Sequence, residues 1–152
     1  MTHFATHNPS LPDPIDHAEF YADVTFKRLL AFLVDSVLII LITILIIPLT
    51  AFTAIFFLGF LGLMVSLAYR TLTLAGGSAT PGMRLMSIEF RTYEGEKLGL
   101  GTAFIHTVLF SVSMSMVIPQ VISIILMLTT ARGQSLSDFF LGTVAINKSA
   151  IK

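Results

Sequence analysis

Charged side chains are scarce in this chain, and several stand inside or beside apolar runs, where a charge needs a partner or a task. Asp35 interrupts the run 29–47 (LLAFLVDSVLIILITILII), which Lys27 and Arg28 precede. Arg28 and Asp35 are seven residues apart. On a helix that is nearly two turns, so they share a face about 10 Å apart along the axis. That is too far for direct contact without side-chain reach, but it marks one polar stripe facing protein rather than lipid. Arg70 closes the second apolar run. In an antiparallel pair with a short turn it falls at the depth of Asp35, and an Asp35–Arg70 pair would remove the main cost of burying the acid. The alternative is that Arg70 snorkels to phosphate headgroups. His106 opens the third apolar block, where packing or an interfacial place is expected ahead of proton handling. His17, Glu19 and Asp23 fit no strong metal spacing. With no nucleophile–base pair, metal cluster or useful carboxylate pair, we expect no enzyme and no cofactor.

Composition sets the element class. Of 152 residues, 55% are hydrophobic and 12% charged, where a soluble domain carries about 25% charged residues. The apolar excess lies in three blocks, 29–47, 52–69 and about 103–131. The expected fold is therefore all-α and integral to a membrane: two full transmembrane helices, then a bent or re-entrant third and fourth helical segment, with a small two-stranded cytoplasmic element. Formal net charge is zero, and no basic arm or zinc finger points to nucleic acid. The chain has no cysteine, which excludes disulfides and thiolate ligands. Reading the opening run as a signal peptide fails on its length, its distance from the start and Asp35.

Three units are expected: a polar tail at 1–24, a membrane domain at 25–147 and a short tail at 148–152. The first tail should be disordered to about Ile15, with an amphipathic helix over 16–26 capped by Asp16. The first span ends near Ile47 in an uncharged turn, and the second runs from about Phe52 to Leu74. Its Gly59 and Gly62 would let a neighbour approach closely. Tyr21, Tyr69 and Tyr93 fall near interfaces, as an aromatic belt would place them. Residues 84–90 alternate as a short strand whose apolar face is Met86, Ile88 and Phe90. Residues 142–146 (GTVAI) form its natural partner. The block 103–131 is long enough for one span but short for two. Pairing of the tail strand with 84–90, and the tail's cations Arg132, Lys148 and Lys152, favour a hairpin turning near Val117 to Gln120. Both polar ends would then lie in the cytoplasm of a bacterial inner membrane.

Four motifs in order resemble the RDD family of membrane proteins, named for an Arg, an Asp and a second Asp. They are Arg28 and Asp35 in the first span, the stretch 77–85 (GSATPGMRL) with Thr80, Pro81, Gly82 and Arg84, and 136–144 with Asp138 and Gly142-Thr143-Val144. The resemblance covers roughly 23–147. Met83 stands where the family usually has Lys, and His106 where it has Arg. The basic approach to the last Asp is thinned to Arg132 with Gln134. If the family's cations bind anionic lipid or substrate, these departures imply a specialised relative with a scaffolding role. The resemblance also carries proposals of transport, including cation/proton exchange.

The function expected is that of a small structural or assembly protein of the inner membrane, with the bilayer, another membrane protein or a second copy, and anionic headgroups as partners. Arg28, Arg70 and Arg84 would meet Asp35 and Asp138 in an ion-pair network beside Thr80-Pro81-Gly82, with His106 and Arg132 at its edge. The alternative is a subunit of an oligomeric cation/proton or small-solute transporter, with Asp35 and His106 handling the ion.

Overall fold

The computed structural model describes residues 11–148. Helix α1 (Val24–Leu49) and helix α2 (Leu58–Gly77) are long and apolar enough to cross a membrane. At 1.5 Å per residue, α1 is about 39 Å long, longer than the ~30 Å hydrocarbon core. Pro48 sits in its last turn, and Ala51 and Phe52 then take left-handed backbone conformations. A short 3-10 turn, Thr53–Phe57, leads into α2. This uncharged connection satisfies itself: the Thr50 hydroxyl donates to the Ile47 carbonyl (2.8 Å) and the Thr53 hydroxyl to the Thr50 carbonyl (2.6 Å). No neighbouring atom lies within 4 Å of a Cβ built at Gly59 or Gly62. The close approach expected there is not made within this chain.

Beyond α2 the chain folds against its own helix ends. Helix α3 (Pro81–Leu85) begins with Thr80 as its cap, whose Oγ1 accepts from the Met83 N–H, and with Pro81 at the first helical position. This cap corrects the expected strand boundary. Residues 81–85 are helical, Ser87 turns the chain with φ 57°, and strand β1 starts only at Ile88 (Ile88–Thr92). Both Ile88 and Phe90 are buried, as is Glu89, which is paired with Arg91.

The third apolar block is broken. Helices α4 (Leu100–Ser115) and α5 (Val117–Thr129) are bent by 114°, with Met116 extended between them. Across the break the Ser113 hydroxyl donates to Gln120 Oε1 at 3.1 Å. The hairpin returns the chain to short helix α6 (Leu136–Leu141) and strand β2 (Thr143–Asn147). β1 and β2 pair antiparallel with Phe90 opposite Ala145. Lys27 Nζ donates to Asn147 Oδ1 at 2.6 Å, so the start of α1, the sheet and the chain after α5 lie at one end of the bundle.

That end holds the core: Val24, Ala31, Leu74, Met83, Ile88, Phe90, Leu98 and Ala103 pack together there. The far halves of the spans expose Val37, Ile40, Leu41, Ile44 and Leu45 on α1 and Phe60 and Leu63 on α2, a surface suited to lipid. The protein is a multi-pass membrane protein.

The leading segment differs from expectation. Residues 1–10, with His3 and His7, lie outside the described residues. Leu11 is buried against Val144 and Ile146, so order begins before Ile15. The helix expected over 16–26 is broken into a 3-10 turn, Ala18–Phe20, and the first residues of α1 from Val24, with Asp23 left-handed (φ 57°) between them, and Asp16 caps neither. The reason is Asn147, whose amide donates to the Glu19 and Ala22 carbonyls at 2.8 Å each. It draws this segment onto β2 and takes carbonyls a helix would use.

Candidate functional site

Two buried carboxylates organise the polar end. Asp35, 1% exposed, lies about 16 Å along α1. Its Oδ1 accepts from the Tyr69 hydroxyl and the Gly82 N–H, both at 2.8 Å, and its Oδ2 from the Thr80 hydroxyl at 2.5 Å. These donors are neutral. No cation forms an ion pair with Asp35 among the described residues, which corrects the expected Asp35–Arg70 pair. α3 lands on α1 closely enough to supply its own N–H and cap hydroxyl, while Arg70 turns to the rings of Phe110 (4.3 Å) and Phe32 (5.8 Å). Gly82 makes the landing possible. A Cβ there would run into the Ala31 carbonyl and stand 2.8 Å from Asp35 Oδ1.

Asp138, fully buried on α6, is the second centre. Its Oδ2 accepts from Arg28 (2.6 Å) and from the Ser135 N–H and hydroxyl (2.8 Å each). Its Oδ1 accepts from His106 Nε2 (2.8 Å) and the Thr143 hydroxyl (3.0 Å). Ser135 and Asp138 also form a capping box that starts α6. Burial alone would raise the Asp138 carboxyl, but the Arg28 guanidinium, His106 and the Ser135 N–H outweigh it and hold it well below the usual carboxylate range. An ionised carboxylate only accepts, so His106 Nε2 is the donor in this contact. The Arg28 guanidinium lies 5.1 Å from the Phe90 ring centroid, and the same ring packs on His106 at 4.6 Å.

The expected single ion-pair network is thus two separate centres, and only Arg28 of the three guanidiniums meets an acid. Arg84 Nε donates to the Ala79 carbonyl at 3.3 Å. Arg132 sits over the Tyr93 ring at 6.0 Å, away from both centres. A cavity of about 60 Å³ adjoins Asp35, with Arg70 and Thr80 in its lining, and is bordered by Arg28 and His106, the partners of Asp138, rather than by Asp138 itself.

Sequence reasoning missed Tyr69, Ser135 and Thr143 as donors. The sequence places Tyr69 in an aromatic belt, although it adjoins Arg70 at the depth where Asp35 needs a partner. The Ser-x-x-Asp spacing of residues 135–138 was a legible capping signal. Among the described residues no group of three His, Asp or Glu could hold a metal ion.

No curated protein and no solved structure matches the chain. The model of the RDD family matches residues 22–142, a span that contains Arg28, Asp35 and Asp138 together with the α3 cap that reaches back to α1. The chain belongs to the RDD family.

Proposed function

We propose that the protein is a structural or assembly component of a bacterial inner membrane, acting through helix contacts with another membrane protein or a second copy. One observation carries this reading: each oxygen of Asp35 and Asp138 is taken by donors of the chain itself. Carboxylates held in this way join α1 to α2 and α3, and α1 to α4 and α6. They are not poised to bind and release an ion. The basic residues Lys27, Arg28, Arg84, Arg91 and Arg132 gather at the sheet end, which the positive-inside rule assigns to the cytoplasm. The reading includes no enzymatic activity.

A subunit of an oligomeric cation/proton or small-solute transporter is the second reading. The small cavity bounded by Asp35, Arg70 and His106 favours it. Two measurements on the full-length protein separate the readings. Extraction in mild detergent, followed by the mass of the intact complex, should give a defined assembly larger than one chain. Reconstituted liposomes should stay silent across Na⁺, K⁺ and proton gradients. Gradient-driven flux would reverse the assignment in favour of the transporter whatever the mass of the assembly, and a monomer without flux would contradict the assembly reading.

A further inference from the structure

Arg70 belongs to neither carboxylate centre. Its Nε is buried with no hydrogen-bond acceptor among the described residues, and it forms no ion pair there. The Phe110 and Phe32 rings attract the charge but offer no strong acceptor. Arg70 is half-buried, and a guanidinium whose Nε is out of reach of water in this way calls for an anion or another acceptor.

The surroundings specify the kind of anion. On the side away from the sheet, Arg70 borders a groove of about 340 Å³ between α1, α2 and α4. The groove's other polar residues are Ser36, Ser66, Ser111 and Ser115, and it contains no carboxylate. Three of these hydroxyls donate to their own helix carbonyls. Ser66 makes no such bond and lies one turn from Arg70 on the same face of α2. Among the described residues the lining of this groove carries one charge, that of Arg70, which suits an anion, not a cation.

The groove is also elongated and apolar. Ile39, Ile40, Leu63 and Met114 form its walls. By helix rise, Arg70 lies about 10 Å from the sheet-side end of α2, and Leu63 about 10 Å deeper. The charge therefore stands at the sheet-side end of the groove, and the apolar walls run from it toward the middle of the span, the direction an acyl chain takes.

We propose that this groove holds the acyl chain of an acidic lipid, with its carboxylate or phosphate seated on Arg70 and assisted by Ser66. The site goes beyond the assembly reading and does not depend on it, because neither carboxylate takes part.

The test uses the full-length protein in a neutral detergent. Shifts of the melting midpoint are titrated with oleate, phosphatidylglycerol, phosphatidylcholine and inorganic phosphate. At least one of the two acidic lipids should half-saturate at about tenfold lower concentration than phosphatidylcholine, and the lower of the two identifies the source. Inorganic phosphate should have little effect. Arg70→Gln should abolish the preference for acidic lipid. Ser66→Leu, which narrows the groove and keeps the charge, should weaken binding of the acidic lipid at least tenfold and serves as the deciding variant if Arg70→Gln does not fold. Equal response to phosphatidylcholine, an equal response to inorganic phosphate, an unchanged preference in Arg70→Gln or an unchanged affinity for acidic lipid in Ser66→Leu would overturn the proposal.

Discussion

At Gly82 the absence of a methyl group decides whether α3 can sit on α1. Alanine favours a helix over glycine by about 1 kcal/mol, yet its Cβ would collide with the Ala31 carbonyl and crowd Asp35. Overpacking of this kind costs about 1–3 kcal/mol, so we expect Gly82→Ala to lower the melting midpoint. A midpoint equal to or above wild type would show that the contact is not tight. At the other centre, Arg28→Ala leaves Asp138 buried without its cation, and the expected loss is about 3–5 kcal/mol. The sign of the pH effect follows from the depressed Asp138 carboxyl. Its stabilisation is present above the ordinary carboxylate range, near pH 4, and is lost as pH falls through its lower folded value. Wild-type melting should hold from neutral pH to about pH 4 as far as this group is concerned. Asp138→Asn should remove the component lost on stronger acidification, and a pH titration of both proteins checks it. Thr80, Gly82 and Asp138 were legible because motif order pointed to them. The partner of Asp35 was not: like-depth arithmetic selected the charged Arg70, while the hydroxyl of Tyr69, one residue away, made the bond.

Among the elements, the bent pair α4 and α5 decides the topology. Length alone fits a single span, but β2 must reach β1, and Arg28 must reach Asp138. These contacts require the chain to return to the end at which it entered. Reporters fused before α1 and after β2 should therefore read the same compartment. Opposite compartments would mean that α4 and α5 form one continuous span and that the sheet does not form. The existence of the strand pair was readable from alternation at 84–90 and from GTVAI. The start of β1 was not, because the Thr80 cap and Pro81 make a helix out of residues whose alternation also suits a strand. The amphipathic reading of 16–26 failed for a related reason. A distant amide, Asn147, took the carbonyls that the helix needed.

For the whole molecule, hydropathy was enough to give the class, since the two spans and the broken pair are segments that composition alone separates. Where the short elements land was beyond it, because a close approach such as that of Gly82 to Ala31 follows from three-dimensional packing and leaves no periodic trace. The result is an asymmetric protein. Its core and bonded carboxylates lie at the sheet end, and its apolar helix faces lie at the other. In the structural reading Asp35 is an internal fastening, and damage to it should appear first as lost stability. The most direct measurement is the melting midpoint of purified Asp35→Asn in detergent against wild type. We expect a fall of several degrees, since the amide presents N–H groups to one of the donors around it and leaves buried groups unpaired at about 1–3 kcal/mol each. An unchanged midpoint would contradict the assignment of Asp35 as a structural fastening.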